Sequence, residues 1–334
     1  MQPPDPFSHM HVALDAARSV RLTTAPNPWV GCVLVCADGQ CFVGATEPPG
    51  RRHAERVALE AAHEAGADTR HATAYTTLEP CSHHGRTPPC AEALIHAGIA
   101  RVVSAIADPD PQVTGAGFAR LRQAGVEVDV GEGAEAAREL LAPYLHHRRT
   151  GRPLVVLKLA ATIDGRSAAP DGTSQWITSL EARSAVHRLR AESGAVLVGS
   201  GTVRADDPSL TVRLVDGPDP RRVVLGSAPP AARVHPCLQW DGPLPELLQR
   251  LGDEGVLQLL VEGGPKVAAS FHRERLVDRY VIHLAPALMG GDDGMSIMSG
   301  LGTPTIAGLW RGRITTVRTL GPDLELVLVP QETP

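Results

Sequence analysis

The spacing of apolar positions divides the chain into short alternating segments. Met10, Ala13, Leu14 and Ala17 recur at helical spacing, which predicts a helix over 9–21. Pro26-Asn27-Pro28 breaks it, and Trp29–Val35 reads as a buried strand. Asp38-Gly39 is a hairpin signal leading into a second strand at Gln40–Val43. Residues 53–65 predict a helix with Ala54, Val57, Ala58 and Ala61 on one face. Strand-like runs follow at Thr73–Leu78, Arg101–Ala107 and Val126–Val130, separated by helical patterns over 91–97, stopped by Gly98, and over 115–124. Strands alternating with helices predict an α/β layered domain ending near residue 148.

His146-His147-Arg148-Arg149-Thr150-Gly151-Arg152-Pro153 is polar, charged and closed by Gly and Pro, so a linker is expected there. A second alternation begins at Leu154–Ala160. It continues through strand-like runs at Ala195–Gly199, Val223–Gly226, Val256–Val261 and Tyr280–Leu284. Thr315–Leu320 and Leu324–Val329 flank Gly321-Pro322-Asp323 and read as a hairpin. Ala228–Pro245 is rich in proline and has little periodicity, so a surface excursion is expected. Lys158 stands in an apolar strand, a position that suits either a functional group or a sheet edge.

With 334 residues, two domains are expected, 1–148 and 149–334. Aromatic residues are few, so the core must be Val, Leu, Ile and Ala. A formal charge of −5 gives no electrostatic reason to expect nucleic acid or a membrane surface. No apolar run approaches the roughly 18 residues of a membrane span, and the N-terminus lacks a signal-peptide pattern. Six cysteines, three of them in one strand-like region and two in a candidate metal site, do not form a disulfide framework. A reducing cytoplasmic location is expected.

The candidate chemistry lies in His53-Ala54-Glu55 and in Pro80-Cys81 followed by Cys90. One imidazole and two thiolates suit zinc, and three protein ligands leave its fourth position open, as in catalytic rather than structural sites. His53 and Cys90 each open a helical pattern, where partial positive charge lowers a thiol's pKa. Glu55 is not needed as a ligand. It is expected to take a proton from water and deliver it to a ring nitrogen and to leaving ammonia, the zinc deaminase arrangement. Either motif alone is common by chance; the two in order point to a site. Eight residues separate the cysteines, against two in the general signature, and the insertion holds His83 and His84. A fourth protein ligand would close the site, so substrate contact or loop packing is expected of them. His63, His71 and His96 are expected to be ordinary surface residues.

These segments resemble a specific family. Asn27–Val33, His53-Ala54-Glu55, Thr77–Cys90 and Asp108-Pro109-Asp110-Pro111 are similar to the deaminase half of the bifunctional riboflavin-biosynthesis deaminase–reductases. Leu157–Arg166, Ser174–Ser179, Gly199–Pro208, Leu210–Arg213 and Val261–Pro265 are similar to the reductase half. The resemblance implies an α/β protein with an N-terminal cytidine-deaminase-like three-layer domain and a C-terminal dihydrofolate-reductase-like domain. The absence of a G-x-G-x-x-G after any strand agrees. It implies deamination of a pyrimidine ribotide with Zn²⁺, then reduction of its ribosyl group with NADPH.

By resemblance His53, Cys81 and Cys90 are the zinc ligands, Glu55 the acid/base, and Asn27 a contact to the pyrimidine. Ala160, Trp176, Thr202, Asp206, Gly264, Pro265, Lys266, Val267, Ala268, Ala269 and Ser270 are implied at the cofactor. Ser174, Arg190, Leu210, Arg213 and Glu262 are implied at the substrate, with Arg190 and Arg213 suited to hold its phosphate by bidentate hydrogen bonds. Gly263-Gly264 after a strand would let backbone N–H groups approach a pyrophosphate. A homo-oligomer, dimer or tetramer, is also implied.

The chain departs from the family pattern in places. Arg56-Val57 stands where a second His is common, Asp110 where Asn is common, and Ala116 where Arg is common. Thr46-Glu47-Pro48-Pro49 lacks a basic residue common before the zinc helix, and segment 227–255 is short. Two rival readings account for less of the chain. A lone zinc nucleoside or tRNA-base deaminase would leave the second half unexplained, and an acidic chain does not suit tRNA. A structural zinc module with a nucleotide-sensing partner domain does not account for an open three-ligand site with an unused Glu.

Overall fold

A computed structural model describes residues 8–82, 89–110 and 113–331. The chain folds as two compact units, Met1–Gly151 and Arg152–Pro334.

In chain order the first unit contains α1 (His9–Ser19), β1 (Gly31–Val35), β2 (Cys41–Ala45), α2 (Ala54–Glu64), β3 (Thr73–Thr76) and α3 (Cys90–His96). It continues with β4 (Arg101–Ser104), α4 (Ala116–Gln123), β5 (Glu127–Val130), α5 (Ala134–Leu140) and α6 (Ala142–Thr150). Its sheet runs β2-β1-β3-β4-β5, with β1 antiparallel to both neighbours and β3, β4 and β5 parallel. Two glycines set the layers. A Cβ on Gly31 would lie 1.8 Å from the Ala13 carbonyl oxygen of α1, and one on Gly44 would lie 2.1 Å from that of Ala54 in α2. Cys32 pairs with Gly44, so Gly31 and Gly44 face opposite sides of the sheet, and α1 and α2 form separate layers.

Two expectations change here. The buried positions of α2 are Ala54, Glu55, Ala58 and Ala62, so the helix is turned to carry Glu55 inward instead of Val57 and Ala61. The expected linker is helical through Thr150. Pro143, Tyr144 and Leu145 bury one side of α6, and its basic residues cluster in the last turn, where the helix dipole favours them.

The second unit contains β6 (Leu154–Thr162), β7 (Arg166–Ala168), α7 (Leu180–Ala191), β8 (Ala195–Gly199), α8 (Ser200–Asp206) and β9 (Arg221–Leu225). Then come β10 (Leu238–Trp240), α9 (Leu244–Asp253), β11 (Gln258–Val261), α10 (Pro265–Arg273), β12 (Arg279–Ala285), β13 (Met295–Ser296), β14 (Gly312–Leu320) and β15 (Asp323–Pro330). Eight strands form one sheet in the order β10-β9-β8-β11-β6-β12-β15-β14. The first six are parallel, and the β14–β15 hairpin closes the sheet antiparallel. One face packs Leu157, Leu159 and Leu197 against Leu247, Leu248 and Leu251 of α9 and Phe271 of α10. The expected surface excursion holds β10, which pairs with β9 as a sheet edge, and ends at the start of α9. Lys158 is on β6, between β11 and β12, so it is not an edge residue.

In the first unit, the loops after β3 and β4 are tied together by two buried carboxylates. Glu79 accepts from the backbone N–H groups of Asp108 (3.2 Å), Gly115 (3.1 Å), Gly117 (3.0 Å) and Phe118 (3.3 Å). Asp108 accepts from the Tyr144 hydroxyl (3.1 Å) and from the Asp110 N–H (2.9 Å). Burial pushes the Asp108 carboxyl up to about 6, with the charges of Asp110 and Glu79 adding to the rise and the two hydrogen bonds opposing it.

The sign of the stability effect follows from linkage. Between the unfolded pKa near 4 and the folded value near 6, the folded state holds more protons than the unfolded one, so Asp108 costs stability as pH rises through this window. Asp108→Asn keeps an acceptor but cannot ionise. From about pH 5 to about pH 7 its stability relative to the parent should rise by on the order of 1 kcal/mol in chemical denaturation. A difference that does not vary with pH would contradict this account.

Candidate functional site

His53 is the last extended residue before α2 and Glu55 lies in the first turn of that helix. Because Gly44 lets α2 lie directly on β2, Glu55 is carried under the helix and is only 4% exposed. Cys90 is the first residue of α3, and Ala91 N–H donates to the Cys81 carbonyl oxygen (3.1 Å), which holds the two cysteine segments together. His53 Nδ1 lies 3.6 Å from Cys81 Sγ and 3.4 Å from Cys90 Sγ. All three donor atoms lie within 4.8 Å of one another, and among the described residues no other His, Cys, Asp and Glu cluster of this kind is found.

The titratable groups of the site shift in different directions. The Cys81 thiol is pulled down to about 4, first by the Cys90 thiol that donates to it and then by His53 and the Cys90 N–H, against the opposing effect of burial. Cys90 shifts the other way for the same reason: it keeps the proton that the pair shares. His53 is raised, chiefly by its hydrogen bond with Cys81, and Glu55 is raised, chiefly by burial. One imidazole nitrogen and two sulfurs are donors that zinc accepts, and three donors leave a tetrahedral ion one position short.

The triad opens onto a cavity of about 550 Å³ lined by His53, Glu55, Cys81 and Asn27, so the structure brings the expected pyrimidine contact to the metal site. Asp108, Asp110, Tyr144, Arg148 and Arg51 also line it. Sequence reasoning assigned none of these five a role, and it read Arg148 as linker. The four-residue spacing from Tyr144 to Arg148 was the available signal, and the Arg148 guanidinium does lie 5.0 Å from the Tyr144 ring centroid. His83 and His84 lie outside the described residues.

In the second unit, three expected cofactor residues meet at the carboxyl ends of the adjacent parallel strands β8, β11 and β6. Thr202 is in the first turn of α8, Gly264 caps α10, and Ala160 is near the end of β6. A Cβ on Gly264 would stand 3.4 Å from Thr202 Oγ1, and one on Gly199 would stand 2.8 Å from Val267 Cγ2, so the starts of α8 and α10 sit close together. Such strand ends are where open α/β sheets bind ligands. Pro265, Lys266, Val267 and Ser270 remain at least partly accessible. Ala268 and Ala269 are buried, and Ala268 packs into the apolar core, so their side chains do not face a cleft. Trp176, 70% exposed, stands before α7 with the Arg183 guanidinium 4.3 Å from its ring centroid, and Asp206 is exposed at the end of α8.

The expected substrate residues divide. Ser174 lies in the loop that precedes α7. Leu210 is buried with φ 55°, and the Arg213 guanidinium bonds Ser209 and Thr211. The fork of Arg190 is already filled: Nε and Nη2 donate to Glu262 at 2.7 and 2.8 Å, and Nη1 donates to the Thr211 carbonyl oxygen at 3.1 Å. Arg190 is therefore a partner of Glu262 and not an open phosphate clamp. Burial lowers the Lys158 ammonium below its ordinary value, with Glu262 opposing that shift.

Comparisons with known proteins agree with this geometry. Residues 6–106 match the family described as cytidine and deoxycytidylate deaminase zinc-binding region, and residues 153–326 match the RibD C-terminal domain. The riboflavin biosynthesis protein RibD of Mycobacterium tuberculosis is 43% identical over 96% of both chains. That of Escherichia coli is 40% identical over 96% of this chain and 98% of its own. The structure of Acinetobacter baumannii RibD (form 1) superposes with TM-score 0.89 at 37% identity, over 97% of this chain and 98% of that one. A Thermotoga maritima structure described as a diaminohydroxyphosphoribosylaminopyrimidine deaminase/5-amino-6-(5-phosphoribosylamino)uracil reductase superposes with TM-score 0.90 at 32% identity, over 96% and 97%. The cofactors are zinc for the first unit and NADPH for the second. With both family models matched in order and relatives similar along nearly their whole length, the chain belongs to the RibD family of bifunctional riboflavin-biosynthesis deaminase–reductases.

Proposed function

We propose that residues 1–148 remove the 2-amino group of 2,5-diamino-6-(5-phosphoribosylamino)pyrimidin-4(3H)-one as ammonia. Residues 149–334 then reduce the ribosyl side chain to give 5-amino-6-(5-phosphoribitylamino)uracil. The observation that carries this reading is the convergence of three zinc-type donors beside a buried carboxylate that is not one of them. The description of the Thermotoga maritima relative supports the choice of substrate.

His53, Cys81 and Cys90 would hold the metal, which when bound activates water for attack near neutral pH. Glu55 takes a proton from the attacking water and passes it to the departing amino nitrogen. The C–O bond forms, the C–N bond breaks and ammonia leaves. Burial keeps the Glu55 carboxylate away from bulk solvent, and Asn27 in the same cavity offers the ring an amide donor and acceptor.

In the second unit NADPH supplies the hydride when bound. Ala160, Trp176, Thr202, Asp206, Gly264, Pro265, Lys266, Val267 and Ser270 would hold it, with the start of α10 facing its phosphates. Ser174, Leu210, Arg213 and Glu262 would bind the substrate, and Arg190 would fix the rotamer of Glu262. Of the two arginines expected at its phosphate, Arg213 is the one whose guanidinium is not held by a carboxylate among the described residues.

Assembly as a homo-oligomer, dimer or tetramer, is supported by β14. This nine-residue strand lies at the sheet edge, with Ile314 and Val317 54% and 60% exposed. A cytoplasmic location suits the free thiols; no described helix is long and apolar enough to cross a membrane.

Two experiments follow. Mass spectrometry of the diaminopyrimidine ribotide should show amine-to-oxygen exchange without NADPH and a further gain of two hydrogens with it. Glu55→Gln should lower deamination by roughly 10²- to 10⁴-fold with zinc content unchanged. Undiminished exchange would remove Glu55 from the mechanism. Light scattering should show the parent as an oligomer and the Ile314→Glu/Val317→Glu variant shifted toward monomer. A monomeric parent at micromolar concentration would refute the assembly.

A further inference from the structure

We propose that Arg51 is the phosphate anchor of the deaminase cavity and makes the first reaction selective for a ribotide over the corresponding nucleoside. This deepens the function proposed above and rests on it.

Among the described residues, the charged side chains lining the cavity apart from the zinc site and Glu55 are Arg51, Glu79, Asp108, Asp110 and Arg148. Four of these are committed. Glu79 accepts from four backbone N–H groups, and Asp108 accepts from the Tyr144 hydroxyl and the Asp110 N–H. Arg148 pairs with Asp110 at 3.2 Å and lies against the Tyr144 ring. Arg51 remains. It is exposed, and among the described residues its guanidinium forms no hydrogen bond or ion pair.

Its neighbour shows that this freedom is not a property of the segment. Arg52 donates to Glu47 through Nε (3.0 Å), Nη2 (2.8 Å) and its backbone N–H (3.0 Å), and also pairs with Glu60. These bonds, with Glu47 N–H to the Arg52 carbonyl oxygen (3.0 Å) and Arg51 N–H to that of Pro48 (3.0 Å), close a turn two residues before His53. Arg52 holds the turn, and the turn presents Arg51 to the cavity.

A ribotide with its ring at the zinc site brings a phosphate dianion into a cavity whose other walls carry Asp108 and Asp110. Arg148 already pairs with Asp110, so the phosphate and Asp108 call for a further cation, and a planar guanidinium matches phosphate with two parallel hydrogen bonds.

The test uses zinc-loaded, full-length protein. Deamination kinetics are compared for the 5′-phosphorylated diaminopyrimidine and for the same compound with its phosphate removed, with inorganic phosphate as competitor. Arg51→Gln should raise KM for the phosphorylated substrate by roughly 10- to 100-fold with kcat little changed. The preference over the dephosphorylated compound should fall by the same factor. Arg51→Lys should retain part of that preference, and inorganic phosphate should inhibit the parent several times more strongly than either variant.

An unchanged preference in Arg51→Gln would overturn the proposal. Equal losses on both substrates would also overturn it, because they would make Arg51 a support of the zinc site. If Arg51→Gln does not fold, parent-like phosphate inhibition and preference in Arg51→Lys would count against the proposal, and a partial loss of both would support it. If the parent deaminates neither compound, the reaction assignment fails. Calorimetric titration with inorganic phosphate still decides the anchor, since the parent should bind it and Arg51→Gln should not.

Discussion

Three donor atoms from three separate segments must meet within 4.8 Å, and much of the first unit serves that convergence. Gly44 lets α2 press onto β2 and so sets His53 and Glu55. Gly117 plays the same part for Cys81: an added Cβ would lie 2.0 Å from the carbonyl oxygen of Pro80, immediately before the ligand. Glu79, one residue earlier, is fixed by backbone N–H groups from the loop after β4 and the start of α4. The site is thus positioned by buried polar bonds and by backbone contacts that no side chain could occupy. Small changes remote from the metal should therefore be felt at it.

The second unit is organised around strand ends instead of a donor cluster. Parallel β8, β11 and β6 bring Thr202, Gly264 and Ala160 to one edge, and glycines let the starts of α8 and α10 approach. Lys158, Arg190 and Glu262 form a partly buried charged group in which Glu262 pairs with Arg190 and its charge favours the ammonium of Lys158. Removing Glu262 would leave Arg190 without its carboxylate partner, so folding and function are coupled there.

Much of this was legible from periodicity and from residue order. The β1–β2 hairpin, the β14–β15 hairpin and the His53, Glu55, Cys81 and Cys90 set are local signals and could be read directly. Features that depend on distant partners were not. The rotation that buries Glu55 comes from the contact of α2 with Gly44, which apolar periodicity does not encode. The polar run His146–Thr150 resembles a linker in composition, yet Pro143, Tyr144 and Leu145 anchor it as a helix. Arg190 was expected as a phosphate clamp, but Glu262, 72 residues away, fills its fork. Arg51 and Arg52 are adjacent and chemically identical in sequence, and only the partners of Arg52 separate their roles.

Zinc-edge X-ray absorption on the full-length protein tests the central claim most directly. The account predicts two sulfur ligands at ~2.3 Å and one imidazole nitrogen at ~2.0 Å, with a single light atom from solvent completing four-coordination. A second imidazole, or a third sulfur, would mean that protein side chains close the site, and the open three-donor centre on which the deamination chemistry depends would be wrong.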